Sequence, residues 1–168
     1  LFFEPSCLSA VREDAPDLLS GAVRATARRV AAHSMLFEEF LASRVASIPG
    51  ALRLRAHPAP ILLHGHCHQK SMGLLAPART LLSAIPRATV TDLDAGCCGM
   101  AGSFGYAREH YDVSRTIGER RLLPAVRARA AGAAVVASGV SCRTQVRDFT
   151  GVRPVHPAEL LDSLLELS

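Results

Sequence analysis

The sequence predicts an α/β fold: a parallel or mostly parallel sheet of about four to five short strands flanked by helices. Short apolar stretches rich in β-branched residues alternate with longer segments in which apolar residues recur at helical spacing. The five cysteines follow four of these apolar stretches, at the points where polar or glycine-rich residues begin. Because parallel strands place their carboxyl ends along one edge of a sheet, we expect a metal or cluster site at that edge.

The amino-terminal part is predicted to be a short strand followed by a long helical segment. Residues Leu1–Glu4 form an apolar, strand-like run, and helical periodicity extends from Asp17 to Ala46. The helical segment is expected to break near His33-Ser34 and to end at Pro49-Gly50, because proline and glycine interrupt helices. Ala51–Pro60 is predicted to be a loop or an irregular edge.

Strands and helices alternate in the remainder of the chain. The strands are expected at Ile61–His64, Ala88–Leu93, Ala133–Ala137 and Val152–Val155. The helices are expected at Leu74–Ile85, Tyr111–Ala131 and Cys142–Phe149, with a final helix that opens at Pro157. Gly132 is the expected C-cap of the long helix before it, since glycine readily adopts the left-handed conformation that ends helices.

Length and composition indicate a single domain that spans residues 1–168. No apolar run approaches the ~20 residues of a membrane span, and the cysteine density is too low for a disulfide scaffold, so we expect a cytoplasmic location. The net charge is +4, but the basic residues are scattered and tryptophan is absent, so nucleic acid is not an expected partner. The chain opens on an apolar run without methionine and is expected to be the carboxyl-terminal part of a longer protein.

Adjacent cysteines, Cys97 and Cys98, lie in a loop with glycine at every third position from Gly96 to Gly105. Thiolates are soft ligands that select iron–sulfur clusters, zinc or Cu(I). Glycine lets backbone pass where a side chain would block it, so Gly96, Gly99 and Gly102 are expected to let the loop approach a cofactor closely. A vicinal disulfide would be strained, and inert buried thiols would not account for the glycines.

Histidines surround another cysteine directly after the strand predicted at Ile61–His64. Cys67 is the firmest candidate ligand in this segment, and His66 and His68 are further candidates that would bind a metal or tune a cluster. The alternative for each histidine is a structural role as a helix cap or a surface group.

Two segments of the chain are similar to each other. Residues 6–13 match residues 141–148 in the Ser-Cys pair, the Val-Arg pair and the acidic position that follows. A strand-like run precedes each copy, which indicates one structural unit used twice. Cys7 would therefore occupy the place in the first copy that Cys142 occupies in the second, and both are candidate metal ligands.

The motifs His66–Lys70, Gly96–Gly102 and Ser138–Cys142 resemble those of the cysteine-rich CCG domain. This domain is found in heterodisulfide reductase, in the iron–sulfur subunits of glycolate oxidase and anaerobic glycerol-3-phosphate dehydrogenase, and in large FAD-linked oxidases. The resemblance covers nearly the whole chain. It implies an iron–sulfur cluster, of the 4Fe–4S type and non-cubane in heterodisulfide reductase, or zinc, with the family's cysteines at Cys67, Cys97, Cys98 and Cys142.

The resemblance also implies a function. The chain would be the electron-transfer domain of a flavin-dependent 2-hydroxyacid oxidoreductase of the glycolate, D-lactate or glycerol-3-phosphate type. FAD would be bound upstream, the partners would be flavin-binding and ferredoxin-like domains and an acceptor such as quinone, and the full-length enzyme would contact the inner face of the membrane. This chain alone is not expected to supply a catalytic residue.

The sequence departs from the family's pattern at one position. Gly139 stands where the family often has the first cysteine of a final Cys-x-x-Cys, which leaves one thiolate missing unless Cys7 takes part. Two alternatives therefore accompany the electron-transfer function. One is a structural zinc-binding interaction domain, for which four thiolates or three plus a histidine suffice. The other is a thiol-active domain that reduces disulfides.

Overall fold

The computed structural model describes residues 1–48 and 50–166 of the chain and has a parallel three-stranded sheet at its centre. The strands are β1 (Pro60–His64), β2 (Thr89–Asp92) and β3 (Ala134–Ala137), in the order β2-β1-β3. Leu63 of the central strand lies between Asp92 and Val136, so the carboxyl ends of all three strands are level. The predicted α/β class and parallel sheet are confirmed.

The described residues form fewer strands than the predicted four to five. The run Leu1–Glu4 makes an isolated parallel bridge between Phe2 and Leu36, and Val155 makes another with Val136 of β3. Pro5 begins a helix directly after the first run, and Pro154 removes a backbone donor next to Val155. Both runs therefore lie beside other elements without becoming full strands.

Helices cover both faces of the sheet. Their bounds are α1 Pro5–Ser9, α2 Ala15–Leu18, α3 Gly21–Ala32, α4 Phe37–Ser47, α5 Cys67–Ser71, α6 Leu75–Ser83, α7 Tyr111–Glu119, α8 Leu122–Arg127, α9 Val140–Thr150 and α10 Pro157–Ser163. A π-helical turn at Ala10–Asp14 joins α1 to α2, and 3₁₀ turns at Phe104–Tyr106 and Arg108–His110 precede α7. Within residues 1–48 and 50–166, every helix is too short or too polar to cross a membrane.

Alternate residues of the strands enter two separate cores, because side chains of a strand point to opposite faces. Ile61 and Leu63 of β1 pack with α6 and α10 on one face, where residues of α4 join them. Leu62 of β1 faces the other core, which contains Cys98, Cys142 and residues of α8 and α9. The cysteines therefore lie on the α8–α9 face of the sheet.

The prediction of one long helix at Tyr111–Ala131 is wrong, because the structure has two helices, α7 and α8, in its place. Pro124 explains the interruption: a proline ring clashes with the carbonyl four residues earlier, here that of Arg120. The prediction for Gly132 is also wrong. Helix α8 already ends at Arg127, and Gly132 takes its positive φ of 78° in the turn before β3.

The helical part of the amino-terminal region begins earlier than predicted. Helix α1 starts at Pro5 rather than near Asp17, with proline at the first helical position, where its missing N–H is not needed. The predicted break near His33-Ser34 is confirmed by the gap between α3 and α4. The predicted end at Pro49-Gly50 lies partly outside the described residues, since Pro49 is not among them.

His156 links the final helix to the start of the chain. Its Nδ1 accepts a hydrogen bond from the Ala158 N–H at 3.0 Å, which caps α10, and its Nε2 lies 3.0 Å from the Phe3 carbonyl oxygen. Burial lowers the pKa of His156 below its ordinary 6.5, although the nearby Glu38 carboxylate opposes this effect. The neutral imidazole is therefore the form that stabilises the fold.

Acidification is expected to weaken the fold through His156. Since the pKa of His156 is lower in the folded state, its contribution is present above pH about 6.5 and is lost as pH falls through the folded-state value. The loss should be about 1 kcal/mol, the size of an N-cap bond. Urea unfolding at pH 7.5 and 5.5 should show a smaller difference for His156→Asn than for the parent chain. An unchanged difference would contradict this assignment, and exposed His33→Asn is the control.

Candidate metal centre

The carboxyl ends of the three strands lead directly to four of the cysteines. The residue after Gly65-His66 is Cys67, β2 leads into the loop that holds Cys97 and Cys98, and β3 is followed by α9, in which Cys142 lies. The Sγ atoms of Cys98 and Cys142 are 3.3 Å apart although the residues are 44 positions apart in sequence. The structure thus brings these thiols to the sheet edge that the sequence indicates.

An inner group consists of His64, Cys98 and Cys142. One ligand atom of each lies within 4.8 Å of the others, and the three residues are only 1%, 3% and 1% exposed. Sulfur atoms around a tetrahedral zinc ion are about 3.8 Å apart, given Zn–S bonds of about 2.3 Å. Neither ring nitrogen of His64 has a hydrogen-bond partner among the described residues, although both are buried. The donor set and the unpartnered imidazole fit a metal ion or cluster.

An outer pair of thiols, Cys67 and Cys97, lies next to this group and is half-buried. The pKa of Cys97 is lowered mainly because its sulfur accepts hydrogen bonds from the Cys67 and Cys98 thiols; the Gly99 N–H adds a bond of 3.2 Å. Donation to Cys97 raises the pKa of Cys67. The four thiols are therefore close enough together to shift one another's pKa values.

The inner cysteines shift each other's pKa values in the same way. Donation to Cys142 raises the pKa of the Cys98 thiol, and accepting that bond lowers the pKa of Cys142. Proximity to the His64 and His66 rings lowers the pKa of Cys142 further. Since the thiolate is the metal-binding form, two of the four sulfurs are already favoured as thiolates, and a cation would take the place of the shared protons.

The two histidines predicted as ligands have different surroundings. His66 is 5% exposed and caps α5, because its Nδ1 accepts a hydrogen bond from the His68 N–H at 3.2 Å. Its Nε2 lies 3.6 Å from Glu4 Oε1. The His68 ring is half-buried, with its centroid 5.5 Å from that of His66. His66 thus has the capping role that its sequence position left open.

Cys7 is more exposed to solvent than the other four cysteines. It is exposed on α1, whereas Cys98 and Cys142 are buried. Helix α1 contacts α5, which begins at Cys67, so Cys7 is on an element next to the site. Its participation as a ligand stays a prediction.

The three glycines expected to approach a cofactor differ from one another. Gly99 has φ +99°, and a Cβ added to it would lie 2.6 Å from the Ser114 carbonyl oxygen and 2.9 Å from Cβ of Ile117. Gly99 therefore approaches α7 closely. Gly96 and Gly102 have φ +69° and +67°, which the turn requires, with open space at the Cβ position, and their approach to a cofactor stays a prediction.

Gly139 lies where the sequence departs from the pattern it resembles. A Cβ added there would collide with the His66 ring and lie 3.2 Å from the Cys142 sulfur. The imidazole of His66 thus fills the space that a side chain at position 139 would need. Glu4 lies next to Gly139 as well, since its Oε2 accepts a 2.7 Å hydrogen bond from the Val140 N–H at the start of α9.

The predicted ligand set did not include His64. It is the last residue of β1 and shares the strand face of Leu62, which points to the core that contains Cys98 and Cys142. Alternation along the predicted strand Ile61–His64 is the signal that places His64 on the cysteine face.

A cavity of about 500 Å³ opens beside Cys97. Its lining includes Ile117, Arg120 and Arg121, and Arg121 Nη1 is 3.5 Å from Asp94 Oδ2. Lys70 adds a further positive charge nearby, since its Nζ donates to the Gly96 carbonyl oxygen at 2.9 Å. The half-buried sulfur is thus reachable through a predominantly basic opening.

The chain is similar to parts of two dehydrogenases. It is 34% identical over 116 residues to one subunit of anaerobic glycerol-3-phosphate dehydrogenase from Escherichia coli (strain K12), a match covering 68% of this chain and 28% of that protein. It is 30% identical over 133 residues to D-2-hydroxyglutarate dehydrogenase from the same organism, covering 79% and 13%. The Pseudomonas putida D-2-hydroxyglutarate dehydrogenase is 30% identical over 128 residues, covering 73% and 11%.

These matches span less than a third of each relative's length. No family model and no solved structure matches the chain. The similarity to dehydrogenases agrees with the resemblance noted from the cysteine motifs, because anaerobic glycerol-3-phosphate dehydrogenase is common to both. It supports an oxidoreductase-associated domain whose cysteines and His64 are able to hold a metal.

Proposed function

We propose that this chain is an iron–sulfur domain that carries electrons from the reduced flavin of a larger dehydrogenase to an acceptor. The observation that supports this most is the connected set of four thiols at the carboxyl edge of the sheet, buried at Cys98 and Cys142 and half-buried at Cys67 and Cys97. Thiolate-rich sites of this kind hold iron–sulfur clusters. The similarity to two dehydrogenases supplies the redox context.

The thiolate ligands of a 4Fe–4S cluster, of the cubane or the non-cubane type, would be Cys67, Cys97, Cys98 and Cys142. Such a cluster accepts and donates single electrons at a potential that depends on charge, hydrogen bonds to sulfur and exposure. The Gly99 N–H, which donates to the Cys97 sulfur, would stabilise the more negative, reduced state. The buried edge at Cys98 keeps water from the centre.

Electrons would pass through the half-buried side of the site. Cys67 and Cys97 are the most accessible of the four sulfurs, and the basic cavity lined by Arg120 and Arg121 lies beside Cys97. We expect the flavin-binding and ferredoxin-like domains of the glycolate, D-lactate or glycerol-3-phosphate type of enzyme to face this side. The acceptor would be a species such as quinone, and the full-length enzyme would be cytoplasmic and peripheral to the membrane.

A structural zinc site is the second candidate. The inner group of His64, Cys98 and Cys142 has the spacing and burial of a closed zinc site, with Cys97 adjacent as a fourth ligand. Zinc has no redox chemistry, so this candidate predicts a colourless interaction domain. A thiol-active domain that reduces disulfides is the third candidate, since Cys67 and Cys97 are accessible and hydrogen-bonded to each other.

Metal and sulfide content distinguish the three candidates. We expect protein purified without oxygen to be brown and to contain iron and acid-labile sulfide in equal amounts. Its visible absorbance should decrease on reduction with dithionite and return when an oxidant is added without air. Colourless protein with one zinc ion per chain would contradict electron transfer and favour the structural role. Metal-free protein that reduces a disulfide substrate, and loses this activity on thiol alkylation, would favour the thiol-active domain.

A further inference from the structure

We propose that His64 is a ligand of the metal centre and supplies the position that a cysteine at 139 would otherwise fill. The inference deepens the proposed function, because it names a histidine within the same site. It does not depend on the type of metal, since both iron–sulfur clusters and zinc accept imidazole ligands. The expected centre therefore has mixed sulfur and nitrogen ligation.

The burial of His64 is the first argument. The residue is 1% exposed, and neither ring nitrogen makes a hydrogen bond of ordinary geometry to another described residue, although the ring is close enough to the Cys142 sulfur to lower the pKa of that thiol. Burying a polar group without a well-formed partner is unfavourable, so we expect one nitrogen of this imidazole to bind a ligand. A metal ion held by the adjacent sulfurs would supply that partner.

The position of His64 is the second argument. One of its ring nitrogens lies within 4.8 Å of the sulfurs of both Cys98 and Cys142, which are themselves 3.3 Å apart. These atoms are close enough together to bind a single ion, or one iron of a cluster. Since His64 ends the central strand, the sheet holds its backbone level with Ala137 of β3.

The environment of Gly139 is the third argument. Position 139, three residues before Cys142, is a glycine, and the His66 ring fills the space beside it. This position therefore supplies no second thiolate next to Cys142. His64 is the buried donor on the remaining side of Cys98 and Cys142. An imidazole from strand β1 thus takes the place of the missing sulfur.

His66 is close to the same sulfurs but is in a different chemical state. Its Nδ1 accepts the capping bond from the His68 N–H, so a neutral ring carries its proton on Nε2. That Nε2–H lies 3.6 Å from Glu4 Oε1, and a protonated nitrogen has no lone pair with which to bind a metal. His66 and His64 are two residues apart and both buried, which makes His66 the matched control.

The test uses nitrogen coupling to the reduced centre in protein labelled with ¹⁵N-histidine and purified without oxygen. Pulsed EPR should detect a strongly coupled ¹⁵N nucleus in the parent chain. The coupling should be retained in His66→Gln and His68→Gln and should disappear in His64→Gln. If His64→Gln does not fold, the parent spectrum together with the two retained couplings still decides the assignment.

The outcomes separate this inference from the proposed function. A cluster that forms normally but shows no histidine nitrogen coupling overturns His64 ligation and leaves electron transfer intact. Colourless zinc protein overturns electron transfer, and zinc absorption fine structure then decides His64. One nitrogen at about 2.0 Å that is lost in His64→Gln supports the ligand, and purely sulfur coordination overturns it. A chain that binds neither metal overturns both.

Discussion

Cys98→Ser is expected to abolish metal binding, with the largest loss of any single substitution at this site. Cys98 is 3% exposed, its sulfur lies 3.3 Å from that of Cys142, and it follows Cys97 directly in the chain, so it connects the outer and inner thiols. Changes to groups that only support a ligand already lower metal affinity about 10–100-fold, and removing a central ligand should exceed that range. Metal content after air-free purification, and competition with a chelator, measure the effect.

Cys7→Ser is the companion variant to Cys98→Ser, because it tests whether the exposed thiol of the first repeat copy is also a ligand. If Cys7→Ser lowers metal content as strongly as Cys98→Ser, the first copy of the internal repeat contributes a ligand, as its sequence position predicts. If its metal content is unchanged, the ligands come from the remaining cysteines and histidines alone. Full metal content in folded Cys98→Ser protein would contradict the site itself.

The parallel sheet and the clustering of cysteines at its carboxyl edge were predictable because both depend on local patterns. Short apolar runs identify β1 and β3, and each run is followed within a few residues by Cys67 or Cys142. Once the strands are parallel, the edge is common to all of them, and the thiols that follow must approach one another.

Other features could not be predicted because they depend on contacts between distant parts of the chain. His64 becomes a buried imidazole beside two sulfurs only when Cys98 and Cys142 pack next to it. The capping bond of His66 depends on a helix at Cys67–Ser71, which has only five residues and therefore little periodicity. The break between α7 and α8, by contrast, is predictable from the sequence, since Pro124 lies within the helix predicted at Tyr111–Ala131.

The glycine-rich loop shows the same distinction. Repeated glycines indicate positive φ and close packing, and both occur, but the group that Gly99 approaches is the backbone of α7 at Ser114. Sequence spacing does not reveal which neighbour a glycine faces. Gly96 and Gly102 have open space in the Cβ direction, so the same residue type serves two purposes within one loop.

Gly99→Ala is expected to destabilise the fold by about 3 kcal/mol, through the sum of two costs. A side chain at φ +99° strains the backbone, which costs roughly 1–2 kcal/mol. Its Cβ would also lie 2.6 Å from the Ser114 carbonyl oxygen, and relieving such overpacking costs about 1–3 kcal/mol. Urea unfolding of metal-free, reduced protein measures the change without a contribution from metal binding.

Gly102→Ala is the matched control, because it has φ +67° and no atom within 4 Å of the added Cβ. It should lose only the backbone term, about 1 kcal/mol. Equal losses for the two variants would contradict a packing role for Gly99.

Gly99→Ala has a second expected effect, on metal binding. Gly99 follows Cys98 directly and its N–H donates to the Cys97 sulfur, so moving Gly99 away from α7 displaces both thiols. Gly99→Ala should therefore weaken metal binding as well, whereas Gly102→Ala should leave it unchanged.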